Sequence, residues 1–496
     1  MDSLDKKCYQ LIISRLDGAK IPQVSYMEMC VELVRKGIGG FIIFGGEKGE
    51  VKKCIRDLQS LSAVPLFIAS DIERGAGQQI EGAISFPGQM AVAAALDRNS
   101  PESLGLLKDM ISAVAGESVD IGINMPLIPV MDVNQNPDNP IICTRAFSDN
   151  PEVVAWYGSV YITTLESKGL ISCAKHFPGH GDTSTDSHLT LPVISKPIRE
   201  LKDADLLPFA EAVRAGASSI MAGHISIPAI DNVPASLSEK VLTGLLRKDL
   251  GFEGLIVTDA LNMHALDSIE RVPSKCVSAG ADILLHPADA DRTVNELTHA
   301  VTSGGIDEKK IDMAVERIGK CKERLKYLHG SVPDYETHRQ LSAGISDRSI
   351  TLLKGRPERI PFKDWHDISL LFCGDEKKYD LSALKHCTGE YINLQHHREG
   401  PLKETVFIAL FTNIAAWEGS SGIGAHTIDA IKGVISKSRF SVVVSFGSPY
   451  VLRHFPEADM LIAAYDTTAL AQASVIKCLR GEAGLKGVLP VRLRLN

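Results

Sequence analysis

The sequence predicts an α/β protein in which an N-terminal (β/α)8 barrel is followed by a smaller α/β sandwich domain. Short apolar runs alternate with amphipathic helical patterns along most of the chain. Eight of these runs precede a helical stretch that ends near residue 328, and eight is the strand number of such a barrel. A second series of four runs follows a break that contains Gly330 and Pro333.

The first eight runs are the candidate strands of a TIM-type barrel. They are LIISRL (11–16), FIIF (41–44), LFIASD (66–71), IGINMPLIPVMD (121–132), ISCAKHF (171–177), SIMAGH (219–224), LIVTDA (255–260) and ILLHP (283–287). Runs separated by helical patterns indicate βα units and a parallel sheet, with a doubly wound open sheet as the alternative. Polar residues gather at the ends of these runs, where a barrel places its chemistry.

The four later runs predict a mostly parallel sheet covered by helices. They are ISLLFC (368–373), VFIALF (406–411), SVVVSF (441–446) and MLIAAY (460–465). We therefore expect a barrel domain over residues 1–335, a linker over 336–346 and a C-terminal α/β/α sandwich domain over 347–496.

Composition narrows the class of protein. The 496 residues carry 53 Lys+Arg and 61 Asp+Glu, a net charge of −8, with 44% hydrophobic residues. These values are typical of a globular protein and argue against a dedicated nucleic-acid binder.

No run approaches the ~20 apolar residues of a membrane span, and the first residues lack a signal-peptide pattern. Ten cysteines without a CxxC pair predict free thiols in a reducing compartment, so we expect a cytoplasmic protein without a membrane partner.

The segment 175–188, KHFPGHGDTSTDSH, carries the strongest chemical signal. Three His, two Asp and one Lys within fourteen residues are more ionisable groups than a loop of small residues needs for packing. In one interpretation they bind a divalent metal, through His176, His180, Asp182, Asp186 and His188. In the other, Asp186 orients His188, which then transfers a proton. The spacing does not decide between the two.

Three further residues are candidates for a functional site. Asp259 ends an apolar strand, where a carboxylate is expected at an open strand end as nucleophile, base or ligand, or as a helix cap. Asp71 also follows a strand and precedes a Gly-rich turn, a place suited to a polyhydroxylated ligand. Arg145 could pair with a substrate oxygen or with a neighbouring carboxylate.

Together these segments resemble glycoside hydrolase family 3, and within it the β-N-acetylglucosaminidase branch in its two-domain form. The segment 175–188 looks like the signature loop of that branch. Other matching segments are 37–46, 66–77, 122–133, 221–231 and 234–263, with 442–452 and 487–493 in the second domain.

The resemblance implies a retaining exo-glycosidase that removes terminal β-linked N-acetylglucosamine, with cell-wall muropeptides in peptidoglycan recycling as the natural substrate. Asp259 matches the nucleophile, and Asp186 with His188 matches the acid/base dyad. The positions that match sugar-binding residues are Asp71, Arg145, Lys175, His176, His224 and Met263. The resemblance implies neither a cofactor nor a metal, and the expected partner is a small carbohydrate rather than nucleic acid.

This sequence departs from the branch after Asp71, because Ala76 and Gln79 replace two arginines of the family pattern. In the broader family the second domain can supply a carboxylic acid to the site in the barrel. Glu418 is such a candidate, although an ordinary surface loop is the simpler interpretation of its segment.

The alternative functions left open are a phosphorylase or β-glucosidase of the same family, a metal-dependent hydrolase and a non-catalytic sugar-binding protein.

Overall fold

A computed structural model of the chain describes residues 3–186, 190–326, 328, 330–359, 362, 365–387, 390–394, 401–414 and 420–495. The chain forms two compact units. The first comprises Met1–Ser85, Lys108–Val133 and Pro151–His338, and the second comprises Phe86–Leu107, Asn134–Asn150 and Arg339–Asn496.

Parallel strands form the centre of the first unit, as the apolar runs predict. In chain order its strands are β1 Ile12–Asp17, β2 Gly40–Phe44, β3 Phe67–Ser70, β4 Met125–Pro126, β5 Cys173–Phe177, β6 Ser219–Ala222, β7 Ser226–Ile227, β8 Asp231–Pro234, β9 Leu255–Thr258 and β10 Leu284–Leu285. The order β10-β1-β2-β3-β4 forms one parallel sheet and β5-β6-β9 forms another. Strands β7 and β8 form an antiparallel hairpin between β6 and β9.

Two parallel bridges join these sheets into a closed ring. Val130, just beyond β4, pairs with Lys175 of β5, and Val257 of β9 pairs with Ile283 at the start of β10. Since β10 also pairs with β1, the eight parallel strands described form a closed barrel rather than an open sheet. The predicted TIM-type barrel is therefore confirmed, and the doubly wound alternative is wrong for this unit.

Amphipathic helices cover the barrel strands. They are α1 Leu4–Gln10, α2 Val24–Lys36, α3 Lys48–Leu61, α6 Pro151–Ser167, α7 Ile198–Asp203, α8 Leu206–Arg214, the π-helix Lys240–Asp249, α9 Val272–Ala279, α10 Ala290–Thr302 and α11 Glu308–Leu325, together with most of α5 Pro101–Ile121. Helix α4 Gln89–Ala95 and the start of α5 belong to the second unit. Helix α3 shows why they form, because Val51, Cys54, Ile55 and Leu58 recur at helical spacing and are buried.

The second unit is a three-layer sandwich around a six-stranded sheet. Its strands are β11 Thr351–Lys354, β12 Ile368–Cys373, β13 Glu390–Asn393, β14 Thr405–Phe411, β15 Phe440–Phe446 and β16 Met460–Ala463. The order is β11-β16-β15-β14-β12-β13, and β11 alone of these described strands runs antiparallel to its neighbour. The predicted α/β sandwich is confirmed.

Helices lie on both faces of this sheet because alternate strand residues point to opposite sides. The helices are α12 Tyr335–Ser349, α13 Ser382–Lys385, α14 Ala425–Lys437 and α15 Ala469–Arg480. Ile408 and Val443 pack in one core with Ile431 of α14, whereas Phe407 packs in the other core with Val475 of α15.

The compact units differ from the predicted division of the chain at 335 and 347. Segments 86–107 and 134–150 belong to the second unit because Met90, Ala91, Ala94 and Cys143 pack into its core. The segment expected to be a linker lies within helix α12. Across the described residues, no helix combines the length and the apolar character that crossing a membrane requires.

Candidate active site

A buried lysine forms the centre of the polar group at the barrel mouth. The ammonium of Lys175, on β5, lies 2.7 Å from a carboxylate oxygen of Asp71 and 2.8 Å from one of Glu73. The side chains of Lys175 and Glu73 are 1% and 7% exposed, whereas that of Asp71 is 32% exposed. A buried ammonium is tolerated because carboxylates pair with it, and Asp71 is the member of the trio that faces the opening most.

A second buried carboxylate fixes the start of the signature segment. Asp132 lies directly after the β4 region with its side chain fully buried. It accepts a hydrogen bond from His176 Nδ1 at 2.7 Å and from the His180 backbone N–H at 2.6 Å. Burial alone would raise the pKa of Asp132, but the charge and hydrogen bond of His176 outweigh it, so the pKa lies below its ordinary value. Asp132 therefore orients the His176 ring and anchors the loop that follows.

Glycine allows the signature segment to pass close to the barrel. A Cβ on Gly181 would lie 1.8 Å from the Val133 carbonyl oxygen, so only a residue without a side chain fits there. Beyond this contact, Lys196 lies 3.0 Å from carboxylate oxygens of both Asp182 and Asp205. The segment thus packs closely against the backbone at Val133 and is also held by the ion pairs of Lys196.

The predicted acid/base dyad is described in part. Asp186 is buried, and its backbone carbonyl accepts a hydrogen bond from Thr190 N–H at 3.0 Å. His188 lies outside the described residues. The predicted pairing of these two side chains therefore stays a prediction.

The described candidates for metal binding contact other protein groups. His176 pairs with Asp132, His180 Nδ1 lies 2.7 Å from Thr183 Oγ1, and Asp182 pairs with Lys196. Where the chain is described, no three His, Cys, Asp or Glu side chains converge in an arrangement suited to a metal ion.

Asp259 lies at the carboxyl end of β9, on the same barrel face as Lys175. Its Oδ1 accepts a hydrogen bond from the backbone N–H of Ala260 at 2.8 Å, and its own N–H donates to the carbonyl of Ala222 at 2.9 Å. Met263 is buried in the turn that follows. The carboxylate is thereby fixed in direction at a partly exposed position.

Arg145 lies in one compact unit, whereas Ala76 and Gln79, which replace the two arginines of the family pattern, lie in the other. Arg145 belongs to the second compact unit, on a short 3-10 turn, where it donates to the Ile141 carbonyl at 3.0 Å. In the first unit Ala76 is buried, and the Gln79 side-chain amide donates to the Asp71 carbonyl at 3.3 Å. Gln79 thus supports the Asp71 backbone. Glu418 is outside the described residues.

Three residues that sequence reasoning did not single out contact one another in the first unit, and one of them, His286, lies within electrostatic range of Asp71. The Arg15 guanidinium lies 4.8 Å from the centre of the Phe44 ring, and that ring lies 5.8 Å from the His286 ring. Burial, assisted by the charge of Arg15, lowers the pKa of His286 to about 4, so this ring is neutral near pH 7. Phe44 and His286 lie at the ends of the second and eighth barrel strands, and this position is the signal that could have identified them.

Glu73 and His224 complete the buried polar set. Sequence reasoning did not single out Glu73, although a second carboxylate two residues after Asp71 is a signal that could have identified it. His224, expected to contact sugar, is fully buried, with Nδ1 2.7 Å from Ser236 Oγ and Nε2 3.1 Å from the Ala260 carbonyl oxygen.

Comparisons with known proteins agree with this architecture. Residues 3–321 match the profile described as glycosyl hydrolase family 3 N terminal domain. Beta-hexosaminidase A of Pseudoalteromonas piscicida is 33% identical over 71% of this chain, which spans 65% of that relative. A beta-N-acetylglucosaminidase/beta-glucosidase of Cellulomonas fimi is 27% identical over 92% of this chain and 88% of the relative.

The likeness to one solved structure extends over the whole chain. The structure of a glycoside hydrolase family 3 beta-N-acetylglucosaminidase from Paenibacillus sp. str. FPU-7 superposes with a TM-score of 0.86 at 28% identity, covering 100% of both chains. The profile match covers well over half of the sequence, on the barrel that carries the site. The chain therefore belongs to glycosyl hydrolase family 3.

Proposed function

We propose that this protein is a retaining exo-β-N-acetylglucosaminidase. The observation that carries the proposal is the placement of Asp259 at the carboxyl end of β9, with its Oδ1 held by the Ala260 N–H at 2.8 Å. A nucleophilic carboxylate needs a fixed direction and access to substrate, and a barrel strand end supplies both. The names of the relatives with 33% and 28% identity support the choice of sugar.

In the first step Asp259 attacks the anomeric carbon from the face opposite the leaving oxygen. The C–O bond to the aglycone breaks, and a covalent glycosyl–aspartate ester forms. His188, oriented by Asp186, protonates the departing oxygen. A positioned proton donor of this kind contributes about 10²–10⁴-fold to such a step.

In the second step His188 acts as the base. It removes a proton from water, the water oxygen attacks the anomeric carbon, and the ester bond to Asp259 breaks. Retaining enzymes usually pair two carboxyl groups about 5–5.5 Å apart. Here a histidine takes the place of the second carboxyl group, so two displacements still give net retention.

The buried ion pairs hold the sugar ring. Asp71 presents a carboxylate that can accept hydrogen bonds from ring hydroxyls, and Lys175 donates from the same place. The Asp132 carboxylate fixes the His176 ring through Nδ1, which leaves Nε2 as the nitrogen available for hydrogen bonding to the substrate. Such contacts strengthen as the ring flattens toward an oxocarbenium ion. We propose that Arg145 and Met263 also contact the substrate, as their match to the family pattern implies.

Hydrolysis of 4-nitrophenyl β-N-acetylglucosaminide tests the proposal, with EDTA present and with phosphate absent or added. The wild type should release nitrophenol without phosphate, and NMR should detect the β-anomer first. Asp259→Ala and His188→Ala should lose most of the rate, while His299→Ala, an exposed histidine of α10, serves as the control. A rate that requires phosphate would indicate a phosphorylase, and loss of activity in EDTA would indicate a metal-dependent enzyme.

We further propose that the natural substrates are cell-wall muropeptides processed in the cytoplasm, as the sequence resemblance implies. Incubation of purified muropeptides with the enzyme should release free N-acetylglucosamine, measured by liquid chromatography and mass spectrometry. Full activity on the aryl glycoside without release from muropeptides would point to another aglycone.

A further inference from the structure

The geometry points to His224 as a positioning residue that holds the Asp259 turn in its reactive arrangement, with Ser236 bonding the second nitrogen of its imidazole ring. This inference rests on the proposed nucleophilic role of Asp259. It assigns to His224 no contact with the sugar, in contrast to the expectation drawn from sequence.

His224 follows β6 by two residues and connects neighbouring barrel strands. The Nε2–H group donates to the Ala260 carbonyl at 3.1 Å, just after β9. The same carbonyl accepts from Met263 N–H at 3.3 Å. The carbonyl of Ala260, the residue that follows Asp259, is therefore held from two sides.

The Ala260 carbonyl determines which ring nitrogen carries the proton in the neutral imidazole, and Ser236 bonds the other nitrogen. A carbonyl oxygen can only accept a hydrogen bond, so Nε2 must be the protonated nitrogen. Nδ1 is then an acceptor and accepts a hydrogen bond from the Ser236 hydroxyl, with Nδ1 and Oγ 2.7 Å apart. Both side chains are 0% exposed, so water cannot easily replace either partner.

Ala260 is the link from His224 to the nucleophile, because its carbonyl and its N–H lie in the two peptide groups on either side of its Cα. Its N–H donates to Asp259 Oδ1 at 2.8 Å, and the Asp259 N–H donates to Ala222 O at 2.9 Å. If Ala260 rotates, the hydrogen bond that aims the Asp259 carboxylate is lost. His224 restrains that rotation from the carbonyl side, so its removal should misdirect the nucleophile without removing a sugar contact.

The test measures formation of the covalent intermediate with the 5-fluoro derivative of N-acetylglucosaminyl fluoride, followed by intact mass spectrometry. This probe slows breakdown of the glycosyl–enzyme, so the saturating rate reports the attack of Asp259 alone. The variants are His224→Phe, His224→Gln, Ser236→Ala and Asp259→Ala in the full chain. Ser219→Ala is the matched control, because Ser219 is also 0% exposed and bonds a backbone carbonyl at 2.7 Å, at the opposite end of β6.

We expect the saturating rate to fall by about 10- to 100-fold in His224→Phe and less in Ser236→Ala. The half-saturating probe concentration should stay at the wild-type value. His224→Gln should recover part of the rate, since its amide can donate to the Ala260 carbonyl. The double variant His224→Phe/Ser236→Ala should be no slower than His224→Phe, because Ser236 acts through the imidazole.

Two results would overturn the inference. The first is a raised half-saturating probe concentration with an unchanged saturating rate in the His224 variants, which would indicate a sugar contact. The second is trapping at the wild-type rate in Ser236→Ala and in both His224 variants. If His224→Phe does not fold, Ser236→Ala decides alone, with its rate compared to that of Ser219→Ala. Trapping that persists in Asp259→Ala would instead overturn the proposed function, since the nucleophile itself would be wrong.

Discussion

The ammonium of Lys175 lies 2.8 Å from the carboxylate of Glu73, with both side chains almost completely buried at the barrel mouth. Because neither group is solvated by bulk water, the ion pair offsets part of the cost of burying both charges. The second carboxylate, Asp71, is partly exposed beside them. Glu73 and Asp71 together hold the Lys175 ammonium in place, as its proposed contact with the sugar requires.

Replacement of Glu73 by Gln should reduce kcat/KM for the aryl glycoside by about tenfold or more, since a buried charged hydrogen bond contributes ~1.5–3 kcal/mol. The control is Glu316→Gln, which removes an exposed pair with Lys320 on α11 and should change activity little. The kcat/KM values of the two variants and the wild type are compared by steady-state kinetics at pH 7. Equal kcat/KM in Glu73→Gln and wild type would show that Asp71 alone positions the lysine.

Replacement of Asp132 by Asn should disturb His176. An amide can present an N–H toward His176 Nδ1, which removes the acceptor that now fixes the ring, and it supplies no charge. We expect kcat/KM to fall by roughly 10- to 100-fold, from the loss of a charged hydrogen bond. Asp203→Asn, on the exposed side of α7, is the control. If both variants keep wild-type kinetics, the Asp132–His176 pair only stabilises the fold.

Replacement of Gly181 by Ala should displace the signature segment, because the new Cβ would lie 1.8 Å from the Val133 carbonyl oxygen. We expect most of the activity to be lost while the barrel stays folded by circular dichroism. Gly105→Ala is the control, since nothing lies within 4 Å of its Cβ position in α5. Retained activity in Gly181→Ala would mean that close contact between the signature segment and the Val133 backbone is not needed for catalysis.

Lys322 should make stability depend on pH. It is 1% exposed, its ammonium lies 3.0 Å from Gln10 Oε1, and burial lowers its pKa to about 7. In the unfolded chain its pKa is near 10.4, so between pH 7 and that value the unfolded state binds more protons. Stability therefore rises with pH in this range, by at most ~1.4 kcal/mol per pH unit.

Thermal unfolding of wild type and Lys322→Met from pH 7 to 10 tests this dependence through the difference between their midpoint temperatures. The midpoint of the wild type should rise relative to that of the variant as the pH rises, because the variant has no amine to protonate. Lys320→Met, which removes an exposed lysine of the same helix, should show no such trend. A constant difference between wild type and Lys322→Met would contradict the lowered pKa.

The sequence was most informative about the strands. The apolar runs at 255–260 and 406–411 predict the regions of β9 and β14, since buried parallel strands read as continuous apolar stretches. Strands β11 and β13 were missed because they lie at the edges of the sheet, where their residues are mostly partly exposed and carry no clear apolar run.

Packing between distant segments was beyond what the sequence pattern could predict. The assignment of 86–107 and 134–150 to the second unit depends on contacts of Met90 and Cys143 with strands hundreds of residues later. Nothing local in these segments distinguishes one core from another. The boundary of a discontinuous unit therefore appears only in three dimensions.

For the site, the strand ends located Asp71, Lys175 and Asp259, but the partners of these residues were not evident. Glu73 and Asp132 matter through distances of 2.8 and 2.7 Å to Lys175 and His176, which spacing along the chain does not reveal. His224 was expected to face the sugar, and its burial with two internal partners was visible only in the structure.

The central claim is that Asp259 forms a covalent bond to the sugar. Reaction with the 5-fluoro glycosyl fluoride, digestion with pepsin and peptide mass spectrometry test it most directly. The account predicts one fluorinated N-acetylglucosaminyl group on the peptide that contains Asp259, and on no other peptide. Labelling of a different carboxylate, or turnover of the probe without any labelled enzyme, would contradict it.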